Sequence, residues 1–198
     1  MRVVLTCVLT LTFARVAEVP ALPRQQAADV QVRMNEFNRA LGVECTFCHV
    51  QDQWRADDKP QLATARGMLR MVEGIGGGLL KDRGGLTCWT CHRGQQKPSR
   101  FPSAELDAEL AKWPAGLADA KDSLKLTMTV YTRSLGVTCE FCHTPGDWTS
   151  RAKDQMKTMP TMLAIFDELP KYSPAAANRS QCWMCHKGAR SPERRPRG

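Results

Sequence analysis

Apolar side chains recur at Val30, Met34, Phe37 and Leu41, spaced four, three and four residues apart. That is the period of one helix face. It predicts a helix closing at Gly42, a residue type that tolerates the positive φ common at helix C-termini. Leu124, Met128, Tyr131 and Leu135 repeat the pattern ahead of Gly136. Ala65, Met68, Val72 and Ile75 predict a further helix that runs into the glycine-rich stretch at 74–78. Its counterpart is expected from about Thr161 to Leu169. It should stop before Pro170 and carry Pro160 in its first turn, where the missing N–H breaks no internal hydrogen bond. No segment alternates convincingly with the period of a strand. The pattern predicts a mainly α, loop-rich chain.

One apolar run stands outside this scheme. Val3–Phe13 spans eleven residues between Arg2 and Arg15, whereas a bilayer takes about 20. It fits the apolar region of a secretory signal over residues 1–21, with Ala14 and Ala21 as small-residue cleavage candidates. The alternative is a buried N-terminal strand. The export reading places the protein in the periplasm, free or on the outer face of the inner membrane. It expects no transmembrane helix after signal cleavage, and it gives Cys7 no chemical role.

The two helix patterns are copies. Setting residue n against n+94 pairs Met34 with Met128, Arg39 with Arg133, and Leu41-Gly42-Val43 with Leu135-Gly136-Val137. It also pairs Phe47 with Phe141, Trp54 with Trp148, Met68-Leu69 with Met162-Leu163, Trp89 with Trp183, and Gly94 with Gly188. No gap is needed between the first and last paired motifs. A duplication on this period fixes the architecture. One repeat spans 28–95 and the other 122–189. A linker at 96–121, interrupted by Pro98, Pro102 and Pro114, holds one short helical stretch, and a basic tail follows at 190–198. The tail reads as a solvated, disordered end.

Composition acquires meaning at this point. Eight of the nine cysteines fall in four Cys-x-x-Cys-His motifs, and those motifs contain all four histidines. The pairs are Cys45/Cys48 with His49, Cys88/Cys91 with His92, Cys139/Cys142 with His143, and Cys182/Cys185 with His186. The pattern is the attachment signal of c-type haem: two thiols add across the porphyrin vinyl groups, and the next-door imidazole meets the iron. Zinc modules set their cysteine pairs about 15–20 residues apart, while Cys45 and Cys88 are 43 apart. A dithiol redox protein has no use for a histidine after every pair. Four covalent haems are therefore expected as cofactors. The net charge of +8 would otherwise suggest nucleic acid. Eight haem propionates offset it, and the Lys and Arg residues are scattered, so no nucleic-acid partner is expected.

With every histidine used, a sixth iron ligand must be Met, Lys, Tyr or an N-terminal amine. Met is the usual partner of His in c-type cytochromes and raises the potential. The 94-residue register selects four of the nine methionines. Met34 and Met128 each lie eleven residues before a first cysteine, and Met68 and Met162 each lie twenty before one. Met71, Met156, Met159 and Met184 have no methionine partner under the shift. Met159 is the rival to Met162. Phe47, Phe141, Trp89 and Trp183, inside the motifs, are expected to pack on porphyrin edges, and Arg93 and Lys187 to face propionates or solvent.

The stretches "MNEFNRALGVECTFCHV", "KPQLATARGMLRMVEGI", "LTCWTCHRG" and "MTVYTRSLGVTCEFCHT" resemble the tetrahaem cytochrome subunit of bacterial photosynthetic reaction centres. The resemblance covers about residues 30–188. It implies two pairs of haems related by a pseudo-twofold, each haem lying along a helix that supplies its sixth ligand. It sets Met34, Met68 and Met128 at the positions of the ligands to the first three haems. The histidine that the family offers its fourth haem has no counterpart in "VEGIGGGLLKDRGGLT", which leaves that iron to Met162 or open. The chain is also shorter than the photosynthetic subunits. The expected function is single-electron transfer between periplasmic or membrane partners, with a reaction centre as one candidate acceptor. The alternatives are respiratory transfer in a non-photosynthetic bacterium, or a multihaem reductase or peroxidase with one open iron. No catalytic residue is expected in the leading reading.

Overall fold

The structure is a computed structural model and describes residues 24–104, 106, 121–173 and 181–196. The expected signal over 1–21, most of the expected short helical stretch of the linker and the last two tail residues lie outside the described residues.

The described residues form seven helices: α1 (Arg24–Leu41), α2 (Cys45–Cys48), α3 (Pro60–Gly77), α4 (Cys88–His92), α5 (Asp122–Leu135), α6 (Asp154–Tyr172) and α7 (Cys182–His186). Short 3-10 turns add Lys81–Arg83 and Cys139–Phe141. Among the described residues there is no strand, only isolated bridges at Val50–Gln53 and Thr144–Asp147. The fold is mainly helical and loop-rich, with the cysteines on short helical turns. No described helix is long and apolar enough to cross a membrane.

The helix ends follow the sequence pattern. Gly42 and Gly136 adopt φ of 64° and 62°. The N–H of Val43 reaches the Asn38 carbonyl at 3.1 Å and that of Val137 the Thr132 carbonyl at 3.0 Å, closing both helices alike. In the same places a second segment is stapled on. Gly94 N–H donates to Ala40 O at 2.8 Å, and Gly188 N–H donates to Ser134 O at 2.9 Å. A Cβ on Gly42 would strike the carbonyl oxygen of Gly94, and one on Gly136 that of Gly188. The two backbones therefore close only over glycine. Through these contacts α1 lies on α4, and α5 lies on α7.

Between these pairs α3 packs on α6, and α4 on α7. The buried cluster sits there: Met71, Ile75, Leu80, Cys91, Leu169 and Met184, flanked by Met68, Met162, Ile165 and Phe166. Among the described residues it is small. Val30, Val32, Leu124 and Leu126 stay exposed on α1 and α5.

Two expectations change. The second-half helix starts at Asp154 and runs to Tyr172, so Pro160 and Pro170 both lie inside it. An internal proline removes a hydrogen bond and disfavours the helix by about 3 kcal/mol. Packing along α3 overrides that local preference, which the sequence pattern cannot weigh. The tail is not wholly solvated: Arg190, Ser191 and Arg195 are exposed, but part of it folds back on the first half. Arg194 lies half-buried, its Nε donating to Gly85 O at 3.2 Å and its Nη2 to Arg83 O, while Thr87 Oγ1 donates to Arg194 O at 2.7 Å.

Candidate haem-attachment sites

Each Cys-x-x-Cys-His forms a single short turn. All eight cysteines in these motifs are free thiols, seven half-buried and Cys91 buried. One turn of helix brings the two thiols of a motif to one side and leaves the following imidazole beside them. The N-terminus of α4 is secured by a capping box, in which the Thr87 N–H meets the Thr90 hydroxyl at 3.1 Å. Asn38 Nδ2 donates to Cys45 Sγ at 3.2 Å, tying α1 to the first motif.

The four histidines fall into two kinds. In the second and fourth motifs Nδ1 is held by a backbone carbonyl, Gln95 O for His92 and Ala189 O for His186, each at 2.9 Å. A protonated Nδ1 donating there leaves the Nε2 lone pair free for a metal. Burial, the largest cause, pushes both imidazoles below their ordinary pKa against the opposing effect of those carbonyls. Burial thus favours the neutral ring, the form that ligates. In the first and third motifs, Nδ1 of His49 and His143 is buried with no hydrogen-bond partner. Trp54 lies edge-on to His49 at 6.3 Å, and Trp148 lies tilted to His143 at 6.2 Å.

The second and fourth motifs meet. Cys91 Sγ and Cys185 Sγ are 2.9 Å apart, between α4 and α7. Their hydrogen bond holds Cys91 well above its ordinary pKa and favours the Cys185 thiolate, which Lys187 and Arg93 also support. Arg93 and Lys187 each take φ of 48°, turning their side chains into this junction. Arg93 Nη2 donates to Cys185 O at 3.0 Å, and Arg93 Nε lies 4.0 Å from Glu193. Elsewhere burial raises Cys88 and Cys182, and it raises Cys48 and Cys142 against the opposing charges of Lys59 and Lys153.

The methionines do not separate cleanly by environment, since unmatched Met156 and Met159 are half-buried like the matched ones. Met71 and Met184, which lack a partner in the repeat, are core residues. Met34 and Met128 are half-buried on α1 and α5, and Met68 and Met162 flank the core from α3 and α6. Phe47, Phe141, Trp89 and Trp183 are half-buried. Trp183 meets Phe101 edge-on at 5.7 Å, and the Arg190 guanidinium lies 5.7 Å from the Phe141 ring centre.

This donor set fits a covalent haem. It offers paired free thiols, an adjacent imidazole in ligating form or with an orphaned nitrogen, and apolar helix faces without protein cover. Among the described residues no three His, Cys, Asp or Glu side chains converge as a bare metal ion requires.

The comparisons agree with that chemistry. The family model for the photosynthetic reaction centre cytochrome C subunit matches residues 45–124. The photosynthetic reaction center cytochrome c subunit of Thermochromatium tepidum is 24% identical over 212 aligned positions, covering 75% of this chain and 52% of the relative. The chain is a relative of these subunits. It spans about half the length of the curated relative it matches. A cytochrome c of this family implies covalently bound haem, and the Cys-x-x-Cys-His motifs are the residues suited to hold it. Sequence reasoning did not single out Asn38, the Cys91–Cys185 junction, or the pair Lys59 and Lys153. The last two are identical under the 94-residue shift, and that identity was the available signal.

Proposed function

We propose that the protein is a tetrahaem c-type cytochrome that passes single electrons along its haems between a donor and an acceptor in the periplasm. The fourfold Cys-x-x-Cys-His pattern carries this reading, because it uses every histidine and all cysteines but Cys7. Haem, once attached, supplies a one-electron couple. His49, His92, His143 and His186, together with Met34, Met68, Met128 and Met162, would hold the haem irons. The assignment divides the chain into dihaem repeats at 28–95 and 122–189, related by an approximate twofold. The paired contacts at Gly42–Gly94 and Gly136–Gly188 support it. Cys91 and Cys185 then bring the second and fourth attachment sites together where the repeats meet. By likeness to the named relative, the acceptor is a reaction centre and the donor a periplasmic redox protein.

Intact mass after acid–acetone extraction tests the cofactor count: four haems should remain bound, and recovery of the bare polypeptide mass overturns the assignment. Flash-induced re-reduction of a photo-oxidised reaction centre by the purified protein tests the acceptor. If re-reduction is no faster than without the protein, the acceptor is another membrane redox complex.

A further inference from the structure

The loops that follow the first and third motifs have diverged. Between 50–58 and 144–152 only Trp54 and Trp148 are identical. Asp57 and Asp58 in one copy face Arg151 and Ala152 in the other, so even the local charge has changed sign. The next residue is lysine in both. Lys59 immediately precedes α3 and Lys153 immediately precedes α6. Lys59 Nζ donates to the Thr46 carbonyl, and Lys153 Nζ donates to the Glu140 carbonyl, in each case the residue just after the first cysteine of the motif. Thr46 and Glu140 differ in side chain, as a contact made through the backbone permits. The same donor thus reaches the same carbonyl twice, in surroundings that share little else.

We infer that Lys59 and Lys153 are positioning residues that brace the first and third attachment turns and raise the reduction potentials of the haems attached there. A short turn such as α2 leaves its carbonyls without partners further along a helix, and the ammonium satisfies one of them. It also fixes a positive charge beside the thioether side of the site. Oxidation adds one positive charge to the iron, so a nearby fixed cation disfavours the oxidised state. The second and fourth motifs have a different anchor, the Gln95 and Ala189 carbonyls on their histidines. The inference rests on the tetrahaem reading above.

The test uses the mature full-length protein and its Lys59→Gln, Lys59→Arg, Lys59→Met and Lys153→Gln variants, with potentiometric titration at low ionic strength. Haem count by intact mass tests the underlying reading separately in the parent. In Lys59→Gln, one of the four one-electron waves should move to lower potential with four haems retained. Lys59→Arg should restore the parent wave, and Lys153→Gln should move a different wave. Raising the salt concentration should shrink both shifts. Loss of the haem at Cys45/Cys48 in Lys59→Met alone would further support the bracing role. If Lys59→Gln and Lys153→Gln titrate as the parent does, while the parent carries four haems, the inference is overturned.

Discussion

At the scale of single residues, the duplication singles out methionines that burial alone does not. Met71 and Met184, unmatched in the repeat, fill the core, while matched Met34 and Met128 remain half-buried on helix faces. Met162 occupies the place in the second half that Met68 holds in the first, and under the proposed tetrahaem assignment no histidine remains to serve an iron held by His186. We expect Met162→Leu to fold, because Leu keeps nearly the same volume and apolarity. It should lower the potential of one haem and make one iron reactive to carbon monoxide. A Leu variant that titrates like the parent and binds no carbon monoxide would pass the role to Met159. At this scale the sequence was informative, since haem attachment needs residue types at fixed short spacings. It was silent on Cys91 and Cys185, whose 2.9 Å approach joins positions 94 residues apart.

At the scale of elements, the decisive contact is where a helix end meets the exit of a motif. Gly136 has φ of 62°, and its missing Cβ leaves room for the Gly188 carbonyl. Gly146 has a similar φ of 84° with open space around it. Ala at either position incurs a left-handed backbone strain of about 1–2 kcal/mol. Gly136→Ala adds a collision with backbone, so its loss of stability in urea titration should clearly exceed that of Gly146→Ala. Equal losses would show that α5 and α7 do not need this close approach. The glycine stops of α1 and α5 were legible, because a helix C-terminus has a local signature. The extent of α6 was not: Pro160 and Pro170 argue locally for a shorter helix, and only the packing on α3 carries the helix through them.

At the scale of the whole molecule, the small buried cluster among the described residues is the main energetic fact. The cluster around Ile75 and Leu169 is small, and Val30, Leu124 and Leu126 present apolar surface to solvent. A porphyrin face contributes far more apolar area than any one of these side chains, so attachment and folding should be coupled. A chain with all eight motif cysteines changed to serine should show no cooperative thermal transition by circular dichroism. A sharp transition in that variant would mean that the protein core suffices. The tail belongs to this scale too. Deleting residues 190–198 removes the Arg194 contacts with Arg83, Gly85 and Thr87. That truncation should lower the Tm of the mature protein, and an unchanged Tm would make the clasp energetically neutral.

The sequence by itself determined the helical class, the 94-residue duplication, the four Cys-x-x-Cys-His motifs and the register that singles out four methionines. Each is a matter of spacing along the chain, and spacing survives translation into structure when the contacts are local. Only the tertiary structure decided that α3 lies on α6, that two cysteine sulfurs from different halves meet, and that the tail crosses back onto the first half. It alone revealed that Lys59 and Lys153 reach the same carbonyl in each copy. Contacts between elements far apart in sequence depend on which faces are buried together, and no periodicity along the chain records that choice.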